Sequence, residues 1–300
     1  MKLTTFILLI TTLIAFAANS ILCRIALDYK LAGPVEFTLI RLSAGAVMLL
    51  PLLIFSSRLK SRSASDQLTR SSVFRFRLTD VYGAVTLFCY ALFFSLAYLR
   101  LEAGSGALIL FATVQVTMIG ISVVRGDRPS LLAWAGITIS LAGLVCLLWP
   151  GLEAPSLAGS VMMAIAGVSW GLYSLLGQTR KSPVLSTARN FLFTLPAVFI
   201  SGLVIASGLF NTDGYLISGG GLLLAVLSGA FASGAGYIIW YITLPRISTT
   251  VASVSQLAVP LLVVIGGAFL LDEILCLRTL LASILIVSGI LMTIKTGSPD

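Results

Sequence analysis

Histidine is absent from this 300-residue chain. Its absence removes the usual proton shuttle and the commonest metal ligand. Charge of any sign is scarce: Asp, Glu, Lys and Arg make up 10% of the residues, far less than in ordinary soluble domains. The acidic residues number 11 against 19 basic ones, and none lies in the middle of an apolar run. Enzymes acting on lipid-linked substrates usually carry acidic or histidine clusters at a membrane face. Here the one adjacent acidic pair, Asp272 and Glu273, reads more simply as a loop. The four cysteines, Cys23, Cys89, Cys146 and Cys276, are isolated, which indicates neither a disulfide framework nor a metal site. They read as small apolar packing residues. No polar stretch is long enough to be a soluble domain.

Long apolar runs are abundant instead. Hydrophobic residues make up 58% of the chain, and the mean hydropathy is +1.07. Ten runs are long enough, or nearly so, to cross a bilayer core. They are read at about Leu3–Leu27, Val35–Phe55, Asp80–Leu99, Ala103–Val124, Leu131–Trp149, Leu157–Leu176 and Thr187–Leu209, then a hairpin over Ser228–Leu275, then Leu277–Ile294. Met1-Lys2 and Ala15-Phe16-Ala17 imitate a secretory signal, but the apolar pattern continues past Asn19, so a retained span is expected. The fold class is all-α integral membrane.

The net charge of +8 follows the alternation of loops rather than a nucleic-acid surface. Lys2, the long basic loop with Arg58, Lys60, Arg62, Arg70, Arg75 and Arg77, then Arg125, Arg128, Arg180, Lys181, Arg246 and Lys295 fall on one side. Arg24, Lys30, Arg100 and Arg278 fall on the other. The positive-inside rule then puts both termini in the cytoplasm, and a bacterial inner membrane is the expected location.

Two five-helix halves are discernible, 1–150 and 151–300. Leu99, Ala107, Val114 and Asp127 match Leu244, Ala252, Val259 and Asp272 at a constant offset, and Phe16 aligns with Trp170. An odd number of spans per half makes the second half enter the membrane upside down. That is an inverted repeat, with the substrate site expected near mid-membrane between the halves.

Polar groups inside the spans are the candidates for that site, because they survive in lipid only where protein or water surrounds them. Arg41 is the intramembrane charge. Glu36 is a candidate partner for it at an unfavourable helical spacing, and a tie to Asn19 or to backbone carbonyls is the structural alternative. Asn19, Gln115 and Gln256 supply amides. Tyr90, Phe94, Trp170, Tyr173, Tyr237 and Trp240 supply aromatic faces. A guanidinium for a carboxylate, aromatics over an apolar or cationic part and amides for orientation suit a zwitterion such as an amino acid. With no titratable group in mid-span, facilitated or weakly coupled movement is favoured, and Glu36 is the candidate for proton coupling.

The order of features from Ser228 carries a resemblance. A small-residue helix, a tight turn at Pro245-Arg246, a helix with Ala252 and then Pro260, and finally Glu273 resemble the second repeat of the EamA-type branch of the drug/metabolite transporter superfamily. The first half departs from that pattern: Gln115 stands for the proline and Arg128 for the glutamate. The resemblance implies ten helices as two inverted five-helix repeats, alternating access and small metabolites as cargo, often amino acids or their derivatives and often exported. The alternatives are uptake of a vitamin or nucleotide-like metabolite, a membrane enzyme on lipid-linked substrates, and an inert scaffold. No enzyme activity, cofactor or metal is expected. The expected partners are a small-molecule substrate and the lipid bilayer, with a homodimer left open and no nucleic acid.

Overall fold

The computed structural model describes residues 1–60, 77–101, 103–149, 156–207, 217–270 and 277–296. Arg62, Arg70, Arg75, Pro150, Asp213, the Asp272–Glu273 pair and Cys276 lie outside the described residues. Among those described, ten helices are long and apolar enough to cross a membrane. They are α1 (Leu3–Asp28), α2 (Pro34–Lys60), α3 (Leu78–Tyr98), α4 (Ala103–Val124) and α5 (Leu131–Leu148). α6 (Leu157–Gln178), α7 (Pro183–Ala206), α8 (Gly219–Arg246), α9 (Thr249–Leu270) and α10 (Leu277–Thr296) follow. We call the face where α1 begins and α10 ends the terminal face, and the other the opposite face.

Each boundary has a local cause. Proline opens α2 and α7, where its missing N–H costs nothing. Thus α7 starts at Pro183, earlier than the expected Thr187. Ser130, Ser156, Ser218 and Ser248 cap α5, α6, α8 and α9 by accepting from the backbone N–H three residues on. The turn between α8 and α9 is a single 3₁₀ turn at Leu244–Arg246, set by Pro245.

Two spans expected to be regular helices are not. α8 is α-helical over Gly219–Leu227, π-helical over Ser228–Ala235 and α-helical again over Gly236–Thr243. The π stretch reads Ser-Gly-Ala-Phe-Ala-Ser-Gly-Ala and carries little bulk. α9 breaks between Ser255 and Ala258. The ring of Pro260 clashes with the carbonyl four residues back and leaves it without an N–H. Gln256 O is therefore taken by Val259 N at 3.0 Å, and Leu257 N turns to Val254 O at 3.0 Å.

The helix packing exchanges evenly between the halves. α1 packs on α8, and α6 on α3; α2 packs on the π stretch of α8, and α7 on α3; α4 packs on α6, and α9 on α1. The pairs α2–α7, α4–α9 and α5–α10 each join like-numbered members of the two halves. α5 and α10 lie closest. A Cβ placed on Gly289 would sit 2.1 Å from Ser140 Oγ and 2.4 Å from Gly136 O, so the two backbones touch where only glycine fits.

Candidate functional site

Arg41 lies seven residues into α2, about 10 Å from its start at 1.5 Å per residue. It is 2% exposed. Its Nη1 donates to Asn19 Oδ1 on α1 at 3.2 Å, and its Nε has no partner. Among the described residues no carboxylate pairs with it. Glu36, the partner weighed from the sequence, is not engaged: its Oε2 is buried without a partner near the start of α2. A single helical turn cannot bring the two together at that spacing.

Asn19 Oδ1 also accepts from Ser228 Oγ at 2.5 Å and Ser233 Oγ at 3.3 Å, both on the π stretch of α8. Both serines are buried, at 0% and 1% exposure. The π stretch approaches α2 because Gly229 has no side chain: a Cβ there would fall 2.1 Å from Arg41 O. Sequence reading missed both serines. The repeated Ser-Gly pair in the stretch was the available signal, but it reads as ordinary small-residue packing.

The aromatic residues gather beside this cluster. Trp170 on α6 is the hub, with ring centroids 4.8 Å from Tyr90, 5.0 Å from Tyr237 and 5.5 Å from Tyr173. Phe16 on α1 meets Trp170, Tyr237 and Trp240 edge-on at 5.3, 5.7 and 5.6 Å. Each such pair adds about 0.5–1.5 kcal/mol beyond burial. Phe16 thus belongs with the candidates, although only its place in the repeat had marked it. Tyr90 and Tyr237 sit within electrostatic range of Arg41. Phe94 meets Tyr90 at a tilt, 5.6 Å away, and Tyr98 edge-on at 4.7 Å.

Gln256, at the break in α9, accepts from Trp170 Nε1 at 2.6 Å and donates to Ala252 O at 3.1 Å. Trp240 Nε1 donates to Ser174 Oγ at 3.1 Å. Gln115 on α4 stands apart: it is buried, and neither amide atom has a partner. The ten candidates therefore fall into a polar cluster, an aromatic cluster with Gln256 hung on it, and an isolated amide. All but the partly buried Phe94 are closed on protein. A cavity of about 490 Å³ opens at the terminal face between the α4–α5 loop and the α8–α9 turn, and none of the ten lines it.

A second polar cluster lies toward the terminal face. Asp80, in the first turn of α3, is 1% exposed. Its carboxylate meets Arg180 Nη1 at 3.4 Å and Arg189 Nη1 at 3.2 Å. Arg180 also donates to Thr79 O. Asn190, with its amide nitrogen on Ser186 O and Asp80 O, turns its other amide atom to the Tyr241 hydroxyl, 3.3 Å away. Tyr241 donates in turn to Tyr173 O at 3.0 Å. Sequence reading placed Arg180 only as a topological charge and gave Arg189 no role. Asp80 is 100 residues or more from both, so no local pattern reveals the link.

Among the described residues no group of His, Cys, Asp and Glu could hold a metal ion. Cys23, Cys89 and Cys146 are free and half-buried.

The model of the EamA-like transporter family matches residues 3–149 and again 157–295. An uncharacterized protein of Pseudomonas aeruginosa is 40% identical over 287 residues, covering 95% of this chain and 93% of its own. An uncharacterized transporter of Archaeoglobus fulgidus is 26% identical, covering 96% of each chain. A solved crystal structure aligns with a TM-score of 0.74 at 21% identity, over 95% of this chain and 97% of its own, a likeness of fold. With ten membrane-length helices and a family match across both halves, the chain belongs to the EamA-like transporter family and is a membrane transporter.

Proposed function

We propose that the protein exports amino acids or amino-acid-derived compounds across the bacterial inner membrane by alternating access, with Asn19, Arg41, Tyr90, Phe94, Gln115, Trp170, Tyr173, Tyr237, Trp240 and Gln256 forming its substrate path. The observation that carries this reading is Arg41. Among the described residues, this buried guanidinium has an unpartnered Nε, a neutral amide for company and no counter-charge. Removing a charge from water is costly unless a partner offsets it. A cargo carboxylate supplies that partner, and the guanidinium fork matches it with two parallel hydrogen bonds. The neighbouring aromatic faces suit an apolar or aromatic side chain.

Alternating access rests on two inverted five-helix repeats, 1–150 and 151–300. Support comes from the even exchange of helix contacts between the halves. It comes also from Phe16 and Trp170, equivalent by sequence and in edge contact at 5.3 Å, as residues on a two-fold axis must be. The terminal face is taken as cytoplasmic because Arg77, Arg125, Arg128, Arg180, Lys181, Arg246 and Lys295 gather there.

The test is efflux from proteoliposomes loaded with a mixed pool of amino acids and related metabolites, followed by mass spectrometry. One chemical class should leave selectively, and Arg41→Ala should bring that efflux to background while the protein stays in the membrane. Efflux that survives Arg41→Ala overturns the carboxylate clamp. No selective efflux overturns the reading as a whole.

A further inference from the structure

The π stretch of α8 does something a regular helix there does not. Ser228 and Ser233 are five residues apart. At 3.6 residues per turn they would stand about 140° apart around the helix, and both could not reach one atom on α1. The i→i+5 ladder of a π-helix stacks the fifth residue over the first. That is how both hydroxyls meet Asn19 Oδ1, at 2.5 and 3.3 Å. The orientation of the Asn19 amide follows from its company, since Arg41 only donates and so fixes the oxygen toward the cluster.

The geometry points to Ser228, Ser233 and Asn19 as the subsite for the ammonium group of an α-amino acid, beside the Arg41 carboxylate site, so that the π stretch sets selectivity for the complete zwitterionic head. This inference rests on the carboxylate role proposed for Arg41 above.

The chemistry matches in sign. Each serine hydroxyl spends its proton on Asn19 Oδ1 and keeps its lone pairs. Asn19 Oδ1 presently serves three donors, Arg41 among them. When a carboxylate draws the guanidinium to itself, Asn19 Oδ1 is released from that donor. The two Oγ atoms then offer their lone pairs to a group with three N–H donors, and Oδ1, still bound by both serines, sets the negative end of its amide dipole beside it. The carboxylate uses the Arg41 fork, of which Nε is already unpartnered. The zwitterion is neutral as a whole and enters without changing the charge of the site: its carboxylate pairs with Arg41, and its ammonium is held by neutral acceptors. A cargo lacking the ammonium leaves the two Oγ atoms without a donor from it, which is how a site built for hydrogen bonds rejects an analogue that lacks them.

The test compares two probes that differ only at that group, phenylalanine and 3-phenylpropanoate, as competitors of efflux by the full-length protein in proteoliposomes. The wild type should favour phenylalanine. Ser228→Ala with Ser233→Ala should weaken phenylalanine by about 10- to 100-fold, the worth of one or two charge-assisted hydrogen bonds, and leave 3-phenylpropanoate unchanged. Arg41→Gln should weaken both. Each single serine variant removes one acceptor and is read by the same ratio, so the test does not depend on accumulation of the double variant. If the serine variants leave the ratio as it is, or weaken both probes alike, the ammonium subsite is overturned while the carboxylate clamp stands. If neither probe competes and Arg41→Gln is without effect, the underlying export reading fails first.

Discussion

Asn19 is the residue on which two opposite demands meet: it must hold Arg41 in place and yet leave its charge unsatisfied. Asn19→Asp meets only the first demand. A carboxylate at that position becomes a permanent counter-ion for the guanidinium, with charge-assisted bonds roughly twice as strong as neutral ones. Cargo efflux from proteoliposomes should fall about tenfold or more, while the melting temperature in detergent holds or rises. Undiminished efflux would mean that Arg41 does not receive the cargo. Trp170 makes the complementary case. Trp170→Phe keeps a ring at the hub but strips the indole N–H from the buried Gln256 Oε1, which it meets at 2.6 Å. The variant should lose about 1–3 kcal/mol, seen as a lowered melting temperature. Sequence alone marked Asn19, Arg41, Trp170 and Gln256, because a polar or bulky amphipathic group in an apolar run has a cost that calls for a partner. It marked neither Ser228 nor Ser233, since a serine in a membrane helix can satisfy itself on its own backbone and carries no such cost.

At the scale of elements, the π stretch of α8 and the charged link at the start of α3 hold the bundle from two sides. Gly229→Ala should force α8 off α2, because the new methyl group would fall 2.1 Å from Arg41 O. Overpacking of this kind costs about 1–3 kcal/mol. It also moves the serines away from Asn19, so thermal stability and efflux should fall together. The Asp80 link behaves differently. Asp80→Asn leaves Arg180 and Arg189 without their carboxylate in a buried place, and breaking a buried pair costs about 3–5 kcal/mol. The double variant Asp80→Asn, Arg189→Gln should recover part of that loss, measured as membrane yield and melting temperature. Of these features, the existence of the spans was readable from apolar length, but the starts of α7 at Pro183 and of α8 at Gly219 were not. The break in α9 was half readable: Pro260 announced an unsatisfied carbonyl but not that Gln256 would turn to Trp170. The π stretch was unreadable, because Ser, Gly and Ala fit an α-helix as well.

For the whole molecule, the proposed orientation and the proposed repeat make a joint prediction. A reporter active only in the cytoplasm, fused after Asp300, should be active, and one active only outside should be silent. The reverse result would overturn the assignment of the terminal face to the cytoplasm. Counted from the opening prolines Pro34 and Pro183, Arg41 and Asn190 hold the same position in α2 and α7. One belongs to the cluster toward the opposite face, the other to the cluster toward the terminal face, and the aromatic rings lie between them.

The amino-acid sequence by itself determined that the chain has ten membrane-length apolar spans and which side chains are too polar to face lipid. Those properties depend on local length and hydropathy, which need no distant partner. Only the tertiary structure decided that Asn19 joins Arg41 to two serines more than 200 residues away, that Asp80 gathers Arg180 and Arg189, and that Gln115 stays alone. In lipid every apolar surface is equally content with its surroundings. The choice of neighbours therefore falls to close backbone approach and to the pairing of polar groups, both of which are settled between helices rather than along them.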